Sequence, residues 1–534
     1  MKNIYYLLSV ISLTALLVGG CKKEEETFED PYEGAKEPLG ISINREILPS
    51  PANGESGAEV TIPVKGLLPY KDQVQVQFNG VDAQILSVSE SSVKVKVPEN
   101  ASSGVTSVIV KDQVVIGPYF KVNGLVNIDP TFVATAGSNR HINQFYKMAD
   151  GRNILVGAFT DYDNKGLLSP LNRIIKISDD GVLDRSFRTG RAANGDLTSI
   201  VEMGGKFIVA GAFNGYGQQG SISNITSVNS NGSVDTAQYD TYLKKVTGII
   251  KFFPRFNGGT DAPINRLYTF NNKAIATGNF RYYVKRIYSE PNYLQTRDSI
   301  ILDSTEVRQI IRLSADGSLD KTYRFDQTGK ALAGANGFID SYMHTSGPLA
   351  GKVVIFGKFS RFDGQAANNI VRLNADGTID GSFTVGSGTD NNIGSLTYNE
   401  LTGKYLITGS FTRYNGHVSP GIAMLNSNGS PDNSFIAKEI SGGYANFAKQ
   451  LTSGLVVVSG GFKTYSGISR SGFMILNPDG TLATKYNNTG RFSGNLNDVI
   501  EMKNADQKNS LLLIGGFTRF DNQELNNIIR VTIE

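Results

Sequence analysis

The sequence has no tryptophan, one cysteine and three histidines in 534 residues. A single cysteine excludes a disulfide framework and a cysteine-ligated metal site. His141, His344 and His417 share no motif, and no nucleophile elbow, phosphate loop or zinc spacing is present. Lys plus Arg number 52 and Asp plus Glu 49, a balance that gives no reason to expect a nucleic acid partner. After the first twenty residues no apolar run is long enough to cross a bilayer. The missing tryptophan weighs against a sugar platform of the commonest kind, although 23 tyrosines can serve in its place.

The one cysteine stands where an anchor needs it. Lys2 supplies a positive start, Ile4 to Leu17 is largely apolar, and Val18-Gly19-Gly20-Cys21 follows. A core this short, ending in small residues, reads as a cleaved signal. The pattern resembles the lipobox of bacterial lipoproteins, which implies lipidation of Cys21, more than one acyl chain and a membrane as partner. Residues 21–38 then form a tether. Lys22-Lys23-Glu24-Glu25-Glu26 and its neighbours carry too little apolar surface to offset the entropy of ordering. This acid-rich stretch is similar to the export signal of Bacteroidetes surface lipoproteins. That likeness implies an outer-membrane location facing the cell exterior.

Residues 39–123 read as a small β-sandwich. Glu59 to Val64, Gln73 to Phe78 and Ser92 to Val97 alternate apolar and polar residues, so each has one buried and one wet face. Turn residues such as Asn79-Gly80 separate them. Ser50-Pro51, Phe78-Asn79-Gly80, Val97-Pro98 and Tyr119-Phe120 resemble an immunoglobulin-like IPT/TIG domain, a type used mostly as a spacer or interaction module.

From about Leu125 one unit recurs. Gly-x-Phe stands at Gly157, Gly211, Gly278, Gly357, Gly409, Gly460 and Gly515, at intervals of 54, 67, 79, 52, 51 and 55 residues. Each unit reads as four extended pieces joined by hairpin turns, which describes a propeller blade. Most units end in Asp-x-[Ser/Thr]-Phe, as at Asp380 to Phe383 and Asp432 to Phe435. The last unit stops before that element, whereas Asp129-Pro130-Thr131-Phe132 precedes the first. The segment near Asp129 is therefore expected to complete the last blade and close a ring, leaving no open edge. The expected fold is all-β: signal peptide 1–20, tether 21–38, sandwich 39–123 and seven-bladed propeller 124–534. The repeat also resembles the delta-60 type of bacterial propeller-like proteins, which implies the fold and no activity.

The recurring Asp-Gly-x-x-Asp matches no calcium loop, and Arg312, Arg372 and Arg530 are expected to pair with the repeat aspartates. No metal and no cofactor is expected. The two long intervals hold aromatic insertions. Thr236 to Pro263, a link between blades, carries Tyr239, Tyr242, Phe252, Phe253 and Phe256. Arg281 to Val307, between the second and third strands of the next blade, carries Tyr282, Tyr283, Tyr288 and Tyr293. Strand parity puts both on one face, where a ligand is expected to bind. The rings could also pack on one another and merely cover two blades. The function expected first is non-catalytic capture of a glycan or peptide beside an outer-membrane importer. An adhesive or structural protein-binding scaffold comes second and a surface hydrolase third.

Overall fold

The computed structural model describes residues 37–534. The proposed signal, Cys21 and nearly all of the tether lie outside the described residues. Residues up to Val122 form two facing sheets. One holds Asn53–Gly54, Gln113–Val122, Gly104–Val110, Val74–Phe78 and Val81–Asp82, in that order; the other holds Glu59–Pro63, Ser92–Lys96 and Gln84–Val88. The alternating side chains do what their pattern requires. Val60, Ile62, Val76, Phe78, Val93, Val95 and Val108 fill the space between the sheets, and Phe78 meets Phe120 edge-on at 5.0 Å. The chain enters at the end away from the repeats, where the Glu37 carbonyl accepts a bond from Gln113 Nε2 at 3.0 Å. Gln113–Val122 then runs ten residues, about 33 Å, back toward them.

Seven sheets of one pattern follow among the described residues. Their first strands are Ile142–Lys147, Asp196–Met203, Ile264–Phe270, Phe338–Met343, Ile393–Asn399, Ala445–Gln450 and Ser493–Lys503. Each pairs antiparallel with a second strand, which pairs with a third. The first strands touch one another in cyclic order, and the last touches the first. Six of the seven carry a β-bulge near the start, which turns the extra side chain out of the ladder. Several bulged residues reach the next sheet. Asn143 Nδ2 donates to the Leu197 carbonyl at 2.8 Å, Thr198 Oγ1 to Ile264 at 2.6 Å, Asn265 Nδ2 to Ile339 at 2.9 Å and Asn497 Nδ2 to Ile142 at 2.8 Å. This belt ties neighbouring first strands where no ladder joins them.

The repeat motifs have local causes. A Cβ on the Gly of each Gly-x-Phe would lie 2.1–2.6 Å from a backbone oxygen at or just before the first strand, as at Gly211 and the Asp196 carbonyl, so only glycine fits. The fourth extended piece is shorter than expected. It is reduced to one bridge per sheet, such as Leu373 with Ile379, except where Val126–Ile128 pairs with Ile528–Ile533. The reason is the motif itself. Asp380 Oδ1 accepts from the Ser382 amide at 3.0 Å and its hydroxyl at 2.6 Å, which turns the chain out of the strand. The other carboxylate oxygen takes Arg372 Nε at 2.7 Å, and that guanidinium lies over Phe383 at 4.5 Å. Arg312 does the same with Asp320 and Tyr323.

The ring closes with those same parts. Val126–Ile128 is the closing strand, just before the expected segment, and Asp129 to Phe132 is the turn that follows it. Arg530 Nε meets Asp129 Oδ2 at 2.5 Å, its NH2 meets Thr131 Oγ1 at 2.7 Å, and the guanidinium covers Phe132. The sandwich rests on the sixth and seventh sheets. Ser103 donates through its amide and hydroxyl to the Asn488 carbonyl, Asn522 Nδ2 donates to the Ser103 carbonyl, and Arg470 donates to that of Asn100.

Candidate functional site

In most of the sheets the link that precedes the first strand pairs with a short hairpin between the second and third strands. Ala335 pairs with Phe362 and Thr389 with Tyr414 in this way. The fourth sheet's hairpin is two residues a side, Arg361–Phe362 with Gln365–Ala366. At the third sheet both partners are enlarged. Tyr282–Ile287 and Ile301–Glu306 form a hairpin of six residues a side. The link folds into a second hairpin, Thr236–Tyr239 with Lys251–Pro254, around a short helix Tyr242–Thr247 capped by the Thr241 hydroxyl. The usual contact survives, because Gly259–Thr260 pairs with Tyr283 and Val284. Both insertions therefore emerge on one side, as strand parity requires.

The insertions are bound into a single lobe. Tyr242 donates its hydroxyl to the Gln295 carbonyl at 2.7 Å. Asp298 accepts from the Leu243 amide at 2.7 Å and pairs with Lys251 at 2.8 Å. Phe253 stacks on Tyr288 with centroids 4.0 Å apart, and Tyr239 lies 5.0 Å from Tyr288.

Burial sorts the nine aromatic candidates. Phe256, Tyr283 and Tyr288 are buried, the first two in the core between the second and third sheets and Tyr288 against Phe253 and Tyr239, so these three are corrected from contact rings to packing residues. Tyr239, Tyr242 and Phe253 are half-buried. Phe252, Tyr282 and Tyr293 are 56%, 37% and 92% exposed. Tyr283 has a repeat role: its hydroxyl donates to the Gly317 carbonyl, as Tyr162 does to Gly181 and Tyr216 to Gly232. An aromatic residue three positions after the Phe of Gly-x-Phe recurs in all seven units, so that role was readable from the sequence.

A cleft of about 590 Å³ lies at the base of the lobe. The insertions supply Thr260, Asp261, Val284 and Leu302, and the second sheet supplies Asn194, Phe213, Asn214, Ser223 and Asn224. Asn194 and Asn214 bond each other at 2.6 Å, and Asn224 donates to the Thr260 carbonyl, which fixes the walls. The cleft is mixed in character, with amides and hydroxyls facing Val284, Leu302 and Phe213. Such a surface presents hydrogen-bonding groups and apolar contact side by side.

A second cavity, about 540 Å³, occupies the middle of the ring. All seven first strands line it, mainly through their later halves, away from the links. Tyr146, Tyr268, Tyr342 and Tyr398 share it with Glu202, Arg266, Lys449 and Asp498. Arg266 pairs with Asp340 at 3.2 Å and Lys449 with Asp498 at 2.8 Å, while Glu202 accepts from the Tyr146 hydroxyl at 3.3 Å. Burial, then the neighbouring Glu202, pushes the Tyr146 hydroxyl above its ordinary value.

Other polar side chains of the repeat are engaged in structure. Fully buried His344 bonds Tyr405 at 2.6 Å through Nε2 and packs against Tyr342 and Tyr398. The turn aspartates each spend one oxygen on holding the turn, as Asp376 Oδ1 accepts from the Thr378 amide and hydroxyl. Among the described residues no group of three or more His, Cys, Asp or Glu side chains converges as a metal site, and no helix is long and apolar enough to cross a membrane.

Two family models match parts of the chain. One, described as a domain of unknown function (DUF5122) beta-propeller, matches residues 351–393 and 402–435. The other, a domain of unknown function (DUF5008), matches residues 17–118. No curated protein matches. Similar solved structures include the WD40 beta propeller domain of Doa1, at 12% identity and TM-score 0.41 over 76% of this chain and 96% of that one. An auxiliary nutrient binding protein from Bacteroides ovatus aligns at 12% identity and TM-score 0.28 over 92% of this chain and 99% of its own. Another so titled, from Bacteroides thetaiotaomicron, aligns at 9% identity and TM-score 0.28 over 92% and 98%. The chain is nearly all β, and part of its repeat matches a β-propeller family model.

Proposed function

We propose that this is a non-catalytic lipoprotein that captures a glycan or peptide at the outer cell surface and passes it to an outer-membrane importer. In this reading Cys21 carries the lipid, residues 21–38 are the tether, 39–123 a stalk, and 124–534 one closed seven-bladed propeller. The observation that carries the capture reading is the cleft walled by two insertions that only the third blade possesses. A loop enlarged for stability alone has no need to leave a concave, mixed-polarity surface beside it. Phe252, Tyr282 and Tyr293 offer exposed rings on the same lobe.

One observation favours the scaffold reading as a second choice. Val246, Ile249, Ile250 and Leu294 are also exposed on the insertions, and an aliphatic surface suits another protein better than a sugar.

The test is a glycan and peptide array probed with the full chain carrying Cys21→Ser, followed by titration with Leu302→Arg. Leu302 is exposed on the cleft wall, so the arginine fills the cleft without touching the core. Capture there requires a defined ligand whose affinity falls at least about tenfold in the variant. A ligand bound equally well by both proteins places the site elsewhere.

A further inference from the structure

The enlarged hairpin contains an arginine whose charge nothing balances. Arg286 is only 8% exposed. The other buried arginines of the repeat have carboxylate partners: Arg324 with Asp363 at 2.6 Å, Arg372 with Asp380 and Arg530 with Asp129. Arg470, at the stalk contact, is held by the carbonyls of Ser469 and Asn100. Arg286 has neither arrangement. Its NH2 donates to Ser223 Oγ at 2.7 Å, and its backbone amide and carbonyl bond Asn257. Among the described residues no acidic group pairs with it, and the bond to Ser223 is the one hydrogen bond its guanidinium makes.

Its position ties it to the cleft. Leu302 is its cross-strand partner and Val284 lies two residues before it, so the three share one face of the hairpin. Leu302, Val284 and Ser223 all line the cleft. Burial works to discharge the guanidinium, against the nearby Tyr288 and Tyr283, and lowers its pKa from the usual arginine value. A buried cation with spare donors, set behind a cleft wall, is an arrangement that costs stability unless an anion completes it.

We infer that Arg286, together with Ser223, forms a carboxylate-binding subsite of this cleft. The assignment rests on the capture reading above and narrows its ligand to one that bears a carboxylate. One guanidinium suits a monoanion, because its planar fork matches two carboxylate oxygens. Nearby Arg281 and Arg308 share Glu306, Arg255 pairs with Asp235 and Lys251 with Asp298, and Lys285 lies on the opposite face of the strand, so a dianion finds no second free charge on Arg286's face. The carboxylate could belong to a uronic acid sugar or to a peptide, and the chemistry at Arg286 is the same.

The experiment titrates the Cys21→Ser full chain with trigalacturonate and its methyl ester, and with a tripeptide acid and its amide. One acid is expected to bind roughly 10- to 100-fold more tightly than its capped form. Arg286→Gln is expected to erase that preference, and Arg286→Lys to keep part of it. Arg286→Met without ligand is expected to melt at the same temperature as the parent or higher, since a buried uncompensated charge is removed. Acids that bind no better than their capped forms overturn the inference, as does a preference that survives Arg286→Gln. A marked fall in melting temperature for Arg286→Met shows a structural role and overturns it too. Loss of array ligands in Leu302→Arg with no carboxylate preference leaves capture standing and removes only this subsite. A cleft that binds nothing removes both.

Discussion

Replacing Asp129 by Asn is expected to open the ring at its closing strand before it affects any other blade. Asp129 and Arg530 are separated by 401 residues, and both side chains are fully buried. Burial works against the carboxylate, but the Thr131 amide, the Thr131 hydroxyl and Arg530 outweigh it and hold its pKa below the usual value. Removing one partner of such a pair costs about 3–5 kcal/mol. Arg530 keeps Asp180 and the Asp179 carbonyl, each at 2.9 Å, so the lower end applies, about 3 kcal/mol. At 1.4 kcal/mol per decade, amides of Val126–Ile128 and Ile528–Ile533 should exchange about 100-fold faster in native-state hydrogen exchange. Asp380→Asn is the internal control, because Arg372 and Asp380 make the same pair within one repeat; its effect should stay near residues 370–383. Acid should mimic Asp129→Asn. The carboxylate pKa is lowered on folding, so the stabilisation is complete above about pH 4 and is lost as pH falls through the folded value. Unchanged protection at Val126–Ile128, or faster exchange spread evenly over all blades, would refute the idea that this clasp secures closure.

Other expected outcomes follow from the same geometry. Phe252→Ala, Tyr282→Ala and Tyr293→Ala together should leave the melting temperature within about a degree, because all three rings are exposed, and should weaken ligand binding tenfold or more. Tyr288→Ala should instead destabilise the lobe by about 3 kcal/mol through loss of its packing on Phe253 and Tyr239, visible as increased proteolysis between residues 236 and 307. Burial, then Arg372 and Lys352, pushes the His344 imidazole down to about 4. Its contribution is intact above pH 6.5 and is lost toward pH 4, roughly 3 kcal/mol in all, and His344→Gln should flatten that part of the stability curve. Cys21→Ser should move the protein from the membrane to the soluble fraction, with the melting temperature of residues 37–534 unchanged.

Much of the fold can be read before any coordinates because each structural need recurs. Gly-x-Phe marks the carbonyl contact that excludes a Cβ, and Asp-x-[Ser/Thr]-Phe marks a turn, an ion pair and a ring under an arginine. Asp129 to Phe132 was recognisable at the wrong end of the chain for the same reason. The fourth strand was overestimated, since alternation cannot show that the aspartate folds the chain out of the ladder. The bulge belt was invisible because Asn143, Thr198 and Asn265 look like any polar residues until a register is known. In the lobe, aromatic content marked the region without separating buried from exposed rings. Tyr283 could have been set aside through its repeat position, whereas Tyr288 is buried by a partner, Phe253, supplied by the other insertion. Arg286 carried no sequence signal, because its lack of an acidic partner is a fact of three dimensions.

The most direct measurement is a hydrogen-exchange footprint of the Cys21→Ser full chain with and without a ligand identified on the array. Capture in the cleft requires new protection at residues 212–224, 259–261 and 282–302, with the first-strand amides around Tyr146, Tyr268, Tyr342 and Tyr398 unchanged. Protection confined to those central strands would put the ligand in the ring's middle and contradict the assignment of the lobe and its cleft as the binding site.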